Sequence, residues 1–266
     1  MTRTLLLSAI VTALTLWGLA LAAIPLRTRP WWRHLGTGAA VAGWLVVVGA
    51  ILGLWLDLGR PPLRTLGETR LWYAALVAGI GLALEWRLRL TVLRLPMLAM
   101  AGMFLALDLF RPDALDRTLR PALHSAWFVP HVATYLAAYA LLGLACATAL
   151  HGWWCVRRGE LPAQAAAVPV LLVDLGLPLL TLGMILGAVW AKQAWGHYWA
   201  WDPKETWALA TWVVYVGIVH FTRLRPDAHR THLTLIAVAF ATVCLCWFAV
   251  QWLPSAVVSV HTYTSD

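Results

Sequence analysis

Eight apolar runs divide the chain, at residues 4–26, 35–57, 68–86, 90–110, 128–155, 167–190, 206–222 and 231–254, with short polar breaks between them. A helix rising 1.5 Å per residue needs about 20 apolar residues to cross the hydrocarbon core of a bilayer. Each run therefore predicts one membrane-spanning helix. The pattern as a whole predicts an all-α, polytopic transmembrane helical bundle of about eight spans. It forms a single integral membrane domain over residues 1–266, with no internal repeat or low-complexity tract. The longest outer break, 111–130, contains Pro112, Pro121 and Pro130 and reads as a cap segment broken by turns.

An even number of spans puts both termini on one side, and the basic residues between spans decide which. With the N-terminus outside, the inner breaks hold Arg27, Arg29, Arg33, Arg87, Arg89, Arg94, Arg157, Arg158, Arg223, Arg225 and Arg230, eleven of the twenty basic residues. The outer breaks hold the other nine, diluted by Asp57, Glu68, Asp108, Asp113, Asp116, Asp202, Glu205 and Asp266. Both termini, and the breaks at 111–130 and 191–207, are thus expected to be extracytoplasmic.

Composition agrees with a membrane protein: 61% of residues are hydrophobic and 12% charged, against about 25% charged in soluble domains. The net charge of +8 does not point to nucleic acid, because the basic groups sit in short juxtamembrane breaks with no folded domain to form a binding groove. Cys146, Cys155, Cys244 and Cys246 fall in or at the ends of spans and form no Cys-x-x-Cys pair, so neither a redox motif nor a zinc site is indicated. Ala20-Leu21-Ala22 resembles a signal cleavage site, but the preceding apolar run exceeds the usual 7–15 residues and a positive inner flank follows it. It reads as a retained span.

Chemistry concentrates in the break at 191–207. Residues 195–207 carry four tryptophans, Trp195, Trp199, Trp201 and Trp207, together with Gly196, His197, Asp202, Lys204 and Glu205. Anchoring a helix end at a membrane interface takes one or two indoles. Four of them form a shelf suited to a flat, apolar, partly charged ligand. Elsewhere, Gly49-x-x-x-Gly53 and Gly183-x-x-x-Gly187 put small residues on one helix face and read as sites of close helix–helix approach.

The histidines separate by position. His34, His151, His229 and His232 lie near inner helix ends and read as solvated residues. His131, after Pro130 at the outer start of the fifth span, and His261, beyond the last, share the level of the tryptophan shelf. Two imidazoles converging there would make an axial pair for heme iron; solvated surface histidines are the alternative, and spacing leaves both open. His220 ends the seventh span, about 22 Å below the outer surface by helical rise. It is a functional candidate by depth and an interfacial histidine by its neighbours Phe221, Thr222 and Arg223. Asp57, Glu85 and Asp174 fall nearer helix ends and read as structural or interfacial.

The run from Gly183 to Gly196, continuing through Trp199-Ala200-Trp201-Asp202-Pro203-Lys204-Glu205-Thr206-Trp207, closely resembles the heme-handling WWD proteins, and its Trp-Asp-Pro-Lys-Glu form resembles the CcsA (ResC) branch. Leu123-His124-Ser125-Ala126-Trp127 through His131-Val132, His220-Phe221-Thr222-Arg223 and His261-Thr262-Tyr263 follow the same family order. The resemblance covers roughly residues 120–266, and residues 1–110 match only loosely. Gly59-Arg60-Pro61-Pro62 lacks the histidine of the plastid Gly-His-Phe-Pro form.

That resemblance implies a membrane subunit of the system II holocytochrome c synthase, a heme lyase active with a CcsB/ResB-like membrane partner. Its reaction joins heme b, iron protoporphyrin IX, covalently to the cysteines of a Cys-x-x-Cys-His apocytochrome c. It also implies His131 and His261 as outer axial ligands with catalytic roles, and His220 as one ligand of a heme held within the membrane. Trp195, Gly196, Trp199, Trp201, Asp202, Lys204 and Trp207 would contact the cofactor, Lys204 being suited to a propionate. The ligand opposite His220 would come from the partner. No role is implied for His124 or His197. The implied setting is the bacterial inner (cytoplasmic) membrane with an extracytoplasmic active face, or the thylakoid membrane in a plastid, among lipid and with thioredoxin-like thiol reductants acting indirectly. A CcmC-like heme chaperone or exporter is the alternative; such proteins lack the Pro-Lys-Glu continuation and usually have six spans.

Overall fold

The computed structural model describes residues 2–110 and 125–249. Among them are eight helices long and apolar enough to cross a membrane: α1 Arg3–Ala22, α2 Pro30–Leu58, α3 Leu66–Leu88, α4 Arg94–Phe110, α5 Phe128–Arg157, α6 Ala163–Trp195, α7 Pro203–Leu224 and α8 His229–Cys244. A 3-10 turn, Thr91–Leu93, leads into α4, and a π-helical turn, Leu245–Ala249, continues α8. No strand occurs among the described residues. The protein is an all-helical, multi-pass membrane protein, as the apolar runs predict.

Two spans outgrow their apolar runs the most. Helix α2 begins at Pro30 rather than at 35, because proline's fixed φ suits a helix's first turn and its missing N–H is not needed there. Helix α6 starts at Ala163 and runs through the polar Lys192 and Gln193 to Trp195. Backbone hydrogen bonds continue there after apolar side chains give out, until Gly196 turns left-handed at φ +86°.

The chain forms two compact units, Met1–Leu119 and Arg120–Asp266. In the first, α1 packs on α2 and α4, and α3 on α2 and α4. Glycines of one helix seat aromatic rings of the next: Trp17 of α1 lies against Gly43, Trp44 of α2 against Gly79. Each indole donates its N–H to a backbone carbonyl one turn earlier, Trp17 Nε1 to Ala40 O at 3.2 Å and Trp44 Nε1 to Ala75 O at 3.0 Å. A Cβ at Gly49 would meet nothing within 4 Å, whereas Gly36 and Gly43 of the same helix are closely approached.

Several buried charged groups inside this unit are paired, as burial favours. Arg94 donates to both Glu85 oxygens, at 3.1 and 2.6 Å, and to Thr37 Oγ1 at 2.8 Å, tying α2, α3 and α4. Arg70 pairs with the fully buried Asp108 at 3.1 Å. Thr65 and Glu68 cap α3 reciprocally. Arg60, at the position of the plastid histidine, is held by Glu68 at 2.9 Å and by Pro61 O at 3.1 Å.

In the second unit α5 packs along α6 and against α8, while α7 packs on α6 and α8. Connections of only a few residues, 158–162, 196–202 and 225–228, make successive helices antiparallel. The start of α5, the end of α6, the start of α7 and the end of α8 therefore share one end. His232 departs from the solvated reading: it is buried, its Nε2 2.9 Å from Arg225 O, with Phe221 and His229 edge-on to its ring. It closes the α7–α8 turn, whereas His34, His151 and His229 are exposed.

Candidate functional site

The sequence Trp201-Asp202-Pro203-Lys204-Glu205 builds a helix start. Asp202 is the N-cap of α7, its Oδ1 accepting from Lys204 N at 2.8 Å, and Pro203 follows at the first helical position. Glu205 completes the capping box and reaches further: its Oε2 accepts from Ala200 N at 2.8 Å and from Asp202 N at 3.1 Å. These two N–H groups flank Trp201, whose backbone is left-handed at φ +59° and whose carbonyl accepts from Thr206 Oγ1 at 3.3 Å. The result is an indole held out at 67% exposure, edge-on to Trp199 with centroids 5.9 Å apart.

At the other side of the connection, Gly196 is the C-cap of α6: its N–H donates to Lys192 O at 3.1 Å and its carbonyl accepts from Lys192 Nζ at 2.8 Å. Two residues expected to contact a ligand, Gly196 and Asp202, thus shape the loop through their own backbone and cap contacts. The non-helical connection is 196–202, shorter than the break the sequence suggests. Lys204 is half-buried on the first turn of α7, and its carbonyl accepts from the Cys246 thiol at 3.8 Å. Trp207 is half-buried one turn on, while His197 and Tyr198 are exposed.

His131 lies in the first turn of α5 with its ring laid on α6. Nδ1 is 2.8 Å from Gly183 O, the imidazole stacks on Trp190 at 5.4 Å and 23°, and Tyr135 meets it edge-on at 5.0 Å. Trp190 is buried and contacts Trp195 at 4.8 Å and 62°. One aromatic cluster therefore joins Trp195, at the end of α6, to the histidine. Since a carbonyl only accepts, Nδ1 carries the proton to Gly183, and in the neutral ring the lone pair is on Nε2.

His220 lies toward the opposite end of α7, seventeen residues from Pro203 or about 26 Å along the axis at 1.5 Å per residue. Its side chain is exposed, and Nδ1 is 2.8 Å from Val216 O. Both described histidines expected to bind iron thus commit Nδ1 to a backbone carbonyl, the arrangement that orients Nε2-ligating imidazoles. This donor chemistry fits heme iron. His124 and His261, and most of the cap at 111–130, lie outside the described residues. The structure joins His131 to Trp195, keeps Trp199 with Trp201 as a second pair, and sets His220 far from both.

Sequence reasoning missed Trp190, Tyr135 and the glycine seat beneath His131. The Gly183-x-x-x-Gly187 stripe was visible, but its reading as helix packing concealed that it receives rings from α5. The Asp202–Glu205 capping box was missed as well, although its Asp-x-x-Glu spacing could have shown it.

The chain matches the family model for cytochrome C assembly protein over residues 7–258, so the relationship reaches well into the first unit, beyond the 120–266 that carry the motifs. Among similar proteins are those called cytochrome c biogenesis protein CcsA from Microcystis aeruginosa, 31% identical over 95% of this chain and 93% of the relative; from Picosynechococcus sp., 30% identical over 95% and 93%; and from Gloeobacter violaceus, 28% identical over 96% and 93%. A family match spanning nearly the whole chain, with relatives of this identity over nearly their whole length, is decisive: the chain belongs to the cytochrome c assembly protein family.

Proposed function

We propose that the protein acts in cytochrome c biogenesis as the heme-presenting subunit of a holocytochrome c synthase, completed by a CcsB/ResB-like membrane partner. The observation that carries this reading is His131, fixed through Nδ1 to Gly183 O and stacked in one cluster with Trp190 and Trp195. In this reading His131 binds iron through Nε2 with His261 opposite, and Trp195, Trp199, Trp201 and Trp207 flank the macrocycle. Lys204 receives a propionate.

Heme is the substrate and supplies the vinyl groups. Addition of each cysteine S–H of a Cys-x-x-Cys-His apocytochrome across a vinyl C=C forms a thioether, with no oxidant required. The protein contributes orientation and a shaped, water-poor site. His220, exposed within its span, holds a second heme position whose opposite ligand comes from the partner. The active end is extracytoplasmic, in a bacterial cytoplasmic membrane or a thylakoid membrane, and the thiols are kept reduced by thioredoxin-like proteins.

Co-expression of the full chain and a ResB-like subunit with a Cys-x-x-Cys-His reporter tests this, with covalent heme read by stain on a denaturing gel. Labelled reporter is expected from the wild type and none from His131→Ala. Heme bound to the chain without labelled reporter, partner present, contradicts the synthase reading in favour of a CcmC-like chaperone.

A further inference from the structure

We infer that Gly183, Gly187 and Trp190 are positioning residues for His131, making one face of α6 the device that turns this imidazole into an iron ligand; the inference rests on the outer-site reading above. The three residues fall at i, i+4 and i+7 and form one stripe. Gly183 supplies the carbonyl that fixes the tautomer, at 2.8 Å from Nδ1. Gly187 supplies the space: a Cβ there would lie 2.6 Å from His131 Cε1 and 2.8 Å from Nδ1. Trp190, 4% exposed, supplies the stacking plane at 23°. The carbonyl, the absent Cβ and the indole restrain the imidazole from three directions, with Tyr135 at its edge.

The same seat occurs twice in the first unit, which identifies what is particular here. Trp17 on Gly43 and Trp44 on Gly79 each donate a ring N–H to a carbonyl one turn before the glycine. An indole has one polar atom, and the seat consumes it. An imidazole has two ring nitrogens, and the seat engages Nδ1. Helix α6 thus uses a packing device of this bundle to orient a ligand, and Trp190's contact with Trp195 extends the cluster to the end of α6, where the loop begins.

The test is hemin titration of the purified full-length chain in detergent, in a His220→Ala background so that the outer site is read alone. Gly187→Ala and Trp190→Leu are expected to weaken hemin binding 10- to 100-fold, the usual cost of losing a group that orients a metal ligand, with Trp190→Phe between them and wild type. Added imidazole should restore the six-coordinate spectrum, which it cannot do for a bundle that has lost its fold. Adding Gly187→Ala to His131→Ala should cost nothing further, because Gly187 acts through His131. Losses that add in the double variant, or that imidazole does not restore, overturn the positioning role and leave the outer-site reading standing. An unchanged titration in His131→Ala overturns the outer-site reading and this inference with it.

Discussion

Trp201 holds a left-handed backbone, φ +59°, that costs a non-glycine residue about 1–2 kcal/mol. The compensation is visible on either side of it. Glu205 accepts from Ala200 N and Asp202 N, and the Thr206 hydroxyl donating to Trp201 O is the third tie. Replacing Glu205 by Ala removes the one oxygen that accepts from both N–H groups, and with it half of the capping box, so stability should fall by about 1–2 kcal/mol. Thermal unfolding in detergent measures the fall, and collisional quenching of tryptophan fluorescence should rise as the loop relaxes. Unchanged quenching would show that the loop does not depend on Glu205. At the far end of α7, His220→Ala should remove the inner heme position while leaving reporter-independent hemin binding at His131 intact; visible spectra of the single variants separate the two.

Four of the described glycines, Gly43, Gly79, Gly183 and Gly187, seat an aromatic ring of a neighbouring helix. A methyl group added at Gly43 or Gly79 would come within 2.5 and 2.7 Å of an indole nitrogen, so Gly43→Ala and Gly79→Ala should each destabilise by about 1–3 kcal/mol. Gly49→Ala, facing open space, should be neutral or mildly stabilising, and denaturation midpoints compare the three. The buried Arg70–Asp108 pair gives a sharper contrast. Asp108→Ala leaves Arg70, 19% exposed, without its counter-ion and should cost about 3–5 kcal/mol, while replacing both by apolar residues of similar size should recover most of it. A double variant no better than the single would mean the pair carries more than mutual neutralisation.

Across the whole molecule, the opposed helix directions give the account a topological consequence. A cysteine placed at the exposed Tyr198, in a chain lacking its native cysteines, should react with a membrane-impermeant maleimide added outside intact cells. One at Gly159, in the connection at the other end of α5, should react only after lysis. The reverse pattern would invert the proposed orientation.

The eight spans were legible because each buries an apolar run of membrane length, and a bilayer admits few alternatives to a helix. Their ends were less so: α2 and α6 extend past their apolar runs because proline geometry and backbone hydrogen bonds, not hydropathy, set where a helix stops. His131 and the tryptophans stood out by position and took their expected roles from the family resemblance, but Trp190 could not be told from an ordinary core indole, nor Gly187 from a packing glycine. That distinction depends on which face of α6 meets α5. His232 shows the converse, a histidine placed correctly at a helix end yet buried by a turn that folds back over it. The first unit lacks spaced motifs, yet the family match begins at residue 7.

The most direct measurement is the reduced visible spectrum and heme content of the full-length protein purified with its partner, for wild type, His131→Ala, His220→Ala and the double variant. The account predicts low-spin heme in the wild type, a partial and different loss in each single variant, and almost none in the double. Equal heme content in the wild type and the double variant would contradict it.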